Sequence, residues 1–160
     1  MGERVSEVAG RPLAAPAGVL FPSVEWFRRV ADLMNANRAR QEQLGYVDCT
    51  VQFTVDDWSV QVTFEEFAVV AVREGTDAGR ADFILAAPLA TWREMIDNIA
   101  AGRGRPDLAH TLNYLSHMGA PIALHGSDPL RRDLYFRYNQ SLQEFVNASA
   151  AFTTMYVKQG

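Results

Sequence analysis

The stretch VDCTVQFTVDDWSVQVTF, from Val47 to Phe64, decides the fold class. Val47, Cys49, Val51, Phe53 and Val55 alternate with Asp48, Thr50, Gln52 and Thr54, and Trp58, Val60, Val62 and Phe64 resume the alternation after Asp56-Asp57. A period of two sends alternate side chains to opposite faces of a strand, and an acidic pair between two such runs is turn chemistry. The stretch therefore reads as a β-hairpin with one apolar face. Phe67 to Val72 continues as a third strand, reached through Glu65-Glu66 and left through the Gly75 to Gly79 loop. Its near-continuous apolar character predicts cover on both faces. Ala81 to Ala86 reads as a fourth strand.

On the N-terminal side the period changes. Ser23 is a good N-cap with Glu25 in the first turn, and Phe27, Val30, Ala31 and Met34 recur at helical spacing, which predicts a helix to about Gln43, stopped by Gly45. On the C-terminal side Thr91 and Glu94 have the spacing of a capping box and predict a helix that buries Trp92, Met95, Ile96 and Ile99. Gly102 to Pro106 interrupts it. A further helix is expected from Asp107 to Met118, burying Leu108, Leu112 and Leu115, with Gly119 as its left-handed stop. Pro121 to His125 reads as a fifth strand. Asp128 before Pro129 then opens a long closing helix with Leu130, Leu134, Tyr138, Leu142, Phe145 and Phe152 on one side.

Helix, meander, strand, helices, strand and closing helix make an α+β domain, and the absence of regular βαβ alternation excludes a doubly wound fold. Residues 23–152 form the expected domain, between an arm at 1–22 that is rich in Gly, Pro and Ala and a tail at 153–160. In a chain of 160 residues, 48% hydrophobic and 21% charged, such a domain can enclose a large core.

The totals also bound the function. A net charge of −4 argues against a phosphate-binding surface, so nucleic acid is not an expected partner. No run approaches the roughly 20 apolar residues of a membrane span, and no signal peptide is evident, which predicts a cytoplasmic protein with no membrane insertion. One cysteine, Cys49, permits no internal disulfide and no cysteine-rich zinc site.

The run Ala81-Asp82-Phe83-Ile84-Leu85-Ala86, followed by the helix at Thr91-Trp92, resembles the strand-to-helix step of the sterol carrier protein type two family. Pro121-Ile122-Ala123-Leu124-His125-Gly126-Ser127-Asp128, followed by an apolar helix, is similar to that family's last strand, Gly-Asp corner and terminal helix. The order of elements matches over roughly residues 24–146. The resemblance implies a five-stranded, mostly antiparallel sheet covered by helices, enclosing an apolar tunnel for a fatty acyl chain, sterol or related lipid, and it brings no catalytic residue and no cofactor. The sequence departs from the family in the added Asp107 to Met118 segment and in its aromatic-rich closing helix.

The expected walls of such a pocket are Phe27, Phe83, Trp92, Met95, Leu112, Tyr135 and Tyr138. Rings at regular spacing ordinarily fill cores, and these do so unless a ligand takes their place. The expected partner is an apolar small molecule, and self-association into a homo-oligomer is compatible with the composition.

The sharpest polar pattern is His110, Tyr114 and His117 at i, i+4 and i+7 of the expected 107–118 helix. If that face met the pocket, His117 could move a proton while Tyr114 donated to a ligand oxygen, which defines an alternative as a small cofactor-free cyclase, isomerase or hydratase. Solvated histidines beside an apolar stripe are the ordinary reading. His110 and His117 would stand about 10 Å apart at ~1.5 Å rise per residue, too far to share a metal, so no metal site is expected.

Overall fold

The computed structural model describes residues 18–76, 80–117 and 121–158. The hairpin forms as the alternation requires. Strands β2 (Val47–Val55) and β3 (Trp58–Glu66) pair antiparallel across the Asp56-Asp57 turn, with Val51 opposite Val62 and Phe53 opposite Val60. Asp56 takes the left-handed conformation that short acidic residues tolerate. β4 (Ala68–Glu74) adds antiparallel to β3, β5 (Phe83–Ala87) runs parallel to β2, and β6 (Ala123–His125) closes antiparallel on β5. The order β4-β3-β2-β5-β6 is a mostly antiparallel five-stranded sheet.

The two faces follow from the pattern of side chains. Cys49, Val51, Phe53, Val60, Val62, Phe64, Phe83 and Leu85 are buried in the core beneath the helices. The opposite parity carries Thr50 against Thr63, Gln52 against Gln61 and Thr54 against Ser59. These bond among themselves: Thr50 to Thr63 at 2.9 Å, Gln61 Nε2 to Gln52 Oε1 at 3.1 Å, and Thr54 to Ser59 at 2.8 Å. Polar groups low in exposure are thus satisfied within the sheet itself.

Several helices begin or break away from their expected positions, each for a local reason. The stretch after Ser23 divides into α1 (Val24–Asn35) and α2 (Arg38–Leu44), because the Asn37 side chain accepts from Arg40 N–H and caps a new helix. α3 (Leu89–Ala101) starts two residues before the expected Thr91 cap, with Pro88 at the N-cap and Leu89 buried. The expected 107–118 helix is a 3-10 turn at Leu108–His110 and a single turn, α4 (Leu112–Leu115), separated by the extended Thr111 at φ −80° and ψ 155°. Thr111 Oγ1 accepts from Tyr114 N–H and restarts the helix. Leu108, expected in the core, is 80% exposed. The closing helix opens as expected on Asp128 and Pro129 but consists of α5 (Pro129–Arg132), α6 (Leu134–Arg137), α7 (Asn139–Asn147) and a last 3-10 turn, and Leu130 faces solvent. The Gly119 position lies outside the described residues.

β4 corrects a further expectation. It is an edge strand and Val70 is half-exposed, so its apolar run is not covered on both faces. Parts of the expected arm and tail also carry structure: β1 (Val19–Phe21) pairs in parallel with β7 (Thr154–Tyr156). Trp26 Nε1 donates to Thr154 Oγ1 at 3.0 Å and the Tyr156 hydroxyl donates to Asp97 at 2.7 Å, which fastens this small ladder to α1 and α3.

Candidate functional site

The apolar layer between sheet and helices brings the expected wall residues together as two neighbouring groups. In the first, Phe27 of α1 lies 5.2 Å from Phe53 of β2, ring centre to ring centre, and Phe53 lies 5.9 Å from both Trp92 of α3 and Phe145 of α7. Trp92 is oriented by its indole N–H, which donates to Thr54 O at 3.0 Å. Met95, one turn further along α3, is fully buried. These spacings are those of edge and offset ring contacts, so the group is closed upon itself.

The second group is the one with polar handles. Phe83 of β5 meets Tyr135 of α6 at 5.7 Å, and Leu112 of α4 is fully buried, its N–H donating to Gln143 Oε1 at 2.8 Å. The Tyr135 hydroxyl pairs with Ser116 Oγ at 2.5 Å, and Ser116 in turn donates to Leu112 O at 2.6 Å. With the serine proton committed to that carbonyl, the phenol proton points to serine. Burial is the main cause that pushes the Tyr135 phenol above its ordinary range, opposed by Ser116 and Asn139, so it stays neutral. The Asn139 side-chain amide lies against the same phenol, with its Nδ2 atom buried. Tyr138, at the junction of α6 and α7, is also buried.

Tyr114 and His117 are exposed, and the break at Thr111 removes the shared face that the 107–118 helix would have given them with His110. His110 is engaged elsewhere: Nδ1 lies 2.6 Å from Asp107 and Nε2 2.8 Å from Glu94 of α3. Among the described residues no group of three or more His, Cys, Asp or Glu is placed to hold a metal ion. No helix of the described residues is long and apolar enough to cross a membrane.

Sequence reasoning missed Ser116 and Asn139, which had no motif to announce them, and a surface cavity of about 230 Å³ between α2 and α7 that includes Arg40, Gln41 and Glu144. The cap at Asn37 was the available signal for the latter, since it turns α2 away from α1. None of the expected wall residues lines this cavity, nor the one of about 380 Å³ between α3 and Phe152.

With this geometry in hand, the comparisons with known proteins fall on one architecture. The crystal structure of sterol carrier protein 2 matches over 81% of this chain and 96% of its own, at a TM-score of 0.59 and 16% sequence identity. The solution structure of the conserved hypothetical protein TT1886 from Thermus thermophilus matches over 81% of this chain and 87% of its own, at a TM-score of 0.54 and 18% identity. No family model and no curated protein matches the sequence. The chain has the sterol-carrier fold, as the resemblance at Ala81–Ala86 and Pro121–Asp128 implied.

Proposed function

We propose that the protein binds an apolar small molecule, of the lipid, sterol or polycyclic class, in the layer between the sheet and its helices. The observation that carries this reading is the second group of the layer: a buried tyrosine packed on Phe83, its hydroxyl meeting Ser116 Oγ beside Leu112, with the Asn139 amide against the same phenol. Polar groups inside an apolar layer are retained at a desolvation cost, and a ligand with one oxygen on an apolar body would use them as its hydrogen-bonding handle. The sterol-carrier architecture supports the same reading by analogy of fold.

The rings of the layer touch one another in the structure, so binding requires them to part. The short α4 and the broken closing helix are the elements least held by regular helix hydrogen bonds, and they cover this group. Affinity would come from apolar burial, at about 25 cal/mol per Å² before ordering costs. The test is energy transfer from tryptophan to dehydroergosterol and to a fluorescent fatty acid. Saturable one-to-one binding that weakens in Tyr135→Phe and Asn139→Ala supports the proposal; absence of saturable binding to either probe overturns it.

A further inference from the structure

We propose that the cavity between α2 and α7 is a second binding site, separate from the sheet–helix layer, for a small apolar monocarboxylate. Its floor is apolar, made by Leu33, Met34 and Leu44, and its polar side is Arg40 with Glu144 and Gln41. A volume of about 230 Å³ lies below the ~300 Å³ at which drug-sized pockets begin, which limits the ligand to a single ring or a short chain.

The polar groups decide the sign of the head group. Glu144 is satisfied at both oxygens: Oε1 accepts from Arg40 Nε at 2.6 Å and Oε2 from Asn147 Nδ2 at 3.4 Å. Gln41 Nε2 is spent on Met34 O at 3.0 Å and Asn35 Oδ1 at 3.2 Å. Arg40 uses Nε on Glu144 and Nη1 on Gln43 at 3.4 Å, and a guanidinium carries five N–H donors in a planar fork. The unspent charged capacity of the cavity is therefore donor capacity on Arg40, which suits a carboxylate and not an amine. The Arg40 side chain is 42% exposed, so a bound carboxylate sits at the water boundary while its apolar body covers Met34 and Leu44. Glu144 competes for the same guanidinium and lowers affinity for a second anion.

The experiment is a two-dimensional amide NMR titration of the whole protein with 3-phenylpropanoate and, as the neutral comparator, 3-phenylpropanol. Shifts confined to Leu33, Met34, Leu44 and their neighbours are expected, with the acid binding roughly three- to fivefold tighter than the alcohol, the scale of a partly exposed ion pair. Arg40→Gln should erase that preference, and Glu144→Gln should enlarge it. The two substitutions break the same ion pair, so a merely structural role would shift both variants in the same direction, which overturns the proposal, as do equal affinities for acid and alcohol in the unaltered protein. The amide spectrum of each variant reports its fold independently.

Discussion

Asn35 holds Val69 as a neighbouring strand would. Its Nδ2 donates to Val69 O at 2.9 Å and its Oδ1 accepts from Val69 N–H at 2.8 Å. The last residue of α1 thus occupies both backbone groups at the point where β4, the sheet's edge, would otherwise offer them to solvent or another chain.

Asn35→Ala should therefore destabilise the fold by about 1–3 kcal/mol, the cost of leaving part-buried backbone groups unpaired. Urea denaturation measures it. Asn35→Asp, which keeps the acceptor but loses the donor, should fall between the two, and a midpoint unchanged in both variants would show that water replaces the side chain without loss.

The His110 clamp makes stability depend on pH in a defined way. Carboxylates accept and cannot donate, so Asp107 on Nδ1 and Glu94 on Nε2 are both served only by the doubly protonated ring. The hydrogen bonds to Asp107 and then Glu94 raise the His110 pKa, and the His110 hydrogen bond lowers that of Asp107. The histidine contribution is fully present below its unfolded value of about 6.5 and is lost as pH rises through the raised folded value; the aspartate contribution is present above about 3.9 and is lost as pH falls through the lowered one. Stability relative to His110→Gln should be greatest between those two unfolded values and decline on both sides. Parallel pH profiles of the two proteins would contradict the clamp.

Cys49 should be chemically silent. Its thiol is buried, and desolvation, helped by Asp82 and Asp48, pushes its pKa up to about 12. Little thiolate exists near neutral pH, and the thiolate is the reactive form. Maleimide labelling followed by mass spectrometry should find the native protein unmodified at pH 8 and the urea-unfolded protein modified once. Rapid labelling of the native state would mean that β2 is more accessible than its packing implies.

The sheet was legible because its signal is local. Val51, Phe53, Val60 and Val62 fall on one face by parity alone, and the register follows from the two-residue turn. The edge position of β4 was not legible, since the same apolar run suits a covered strand and a strand whose free side is served by an Asn from another element. Helix continuity failed where a capping residue lay inside an apolar repeat. Asn37 and Thr111 each take a backbone N–H three residues on, and this local bond outcompetes a longer helix. That break separates Tyr114 and His117 from His110, while the pairing of Ser116 with Tyr135 depends on two segments that only the fold brings together. The candidate walls Phe83, Leu112 and Tyr135 were readable as buried residues, but the Asn139 amide against the Tyr135 phenol was not.

An apolar ligand held between sheet and helices is tested most directly by native mass spectrometry of the freshly purified protein, followed by denaturation and identification of what is released. The expected result is an added mass at one-to-one stoichiometry that denaturation frees as an apolar molecule carrying a single polar group. A protein that runs at its bare mass from several hosts, and stays so after incubation with sterol and fatty-acid mixtures, would contradict such binding.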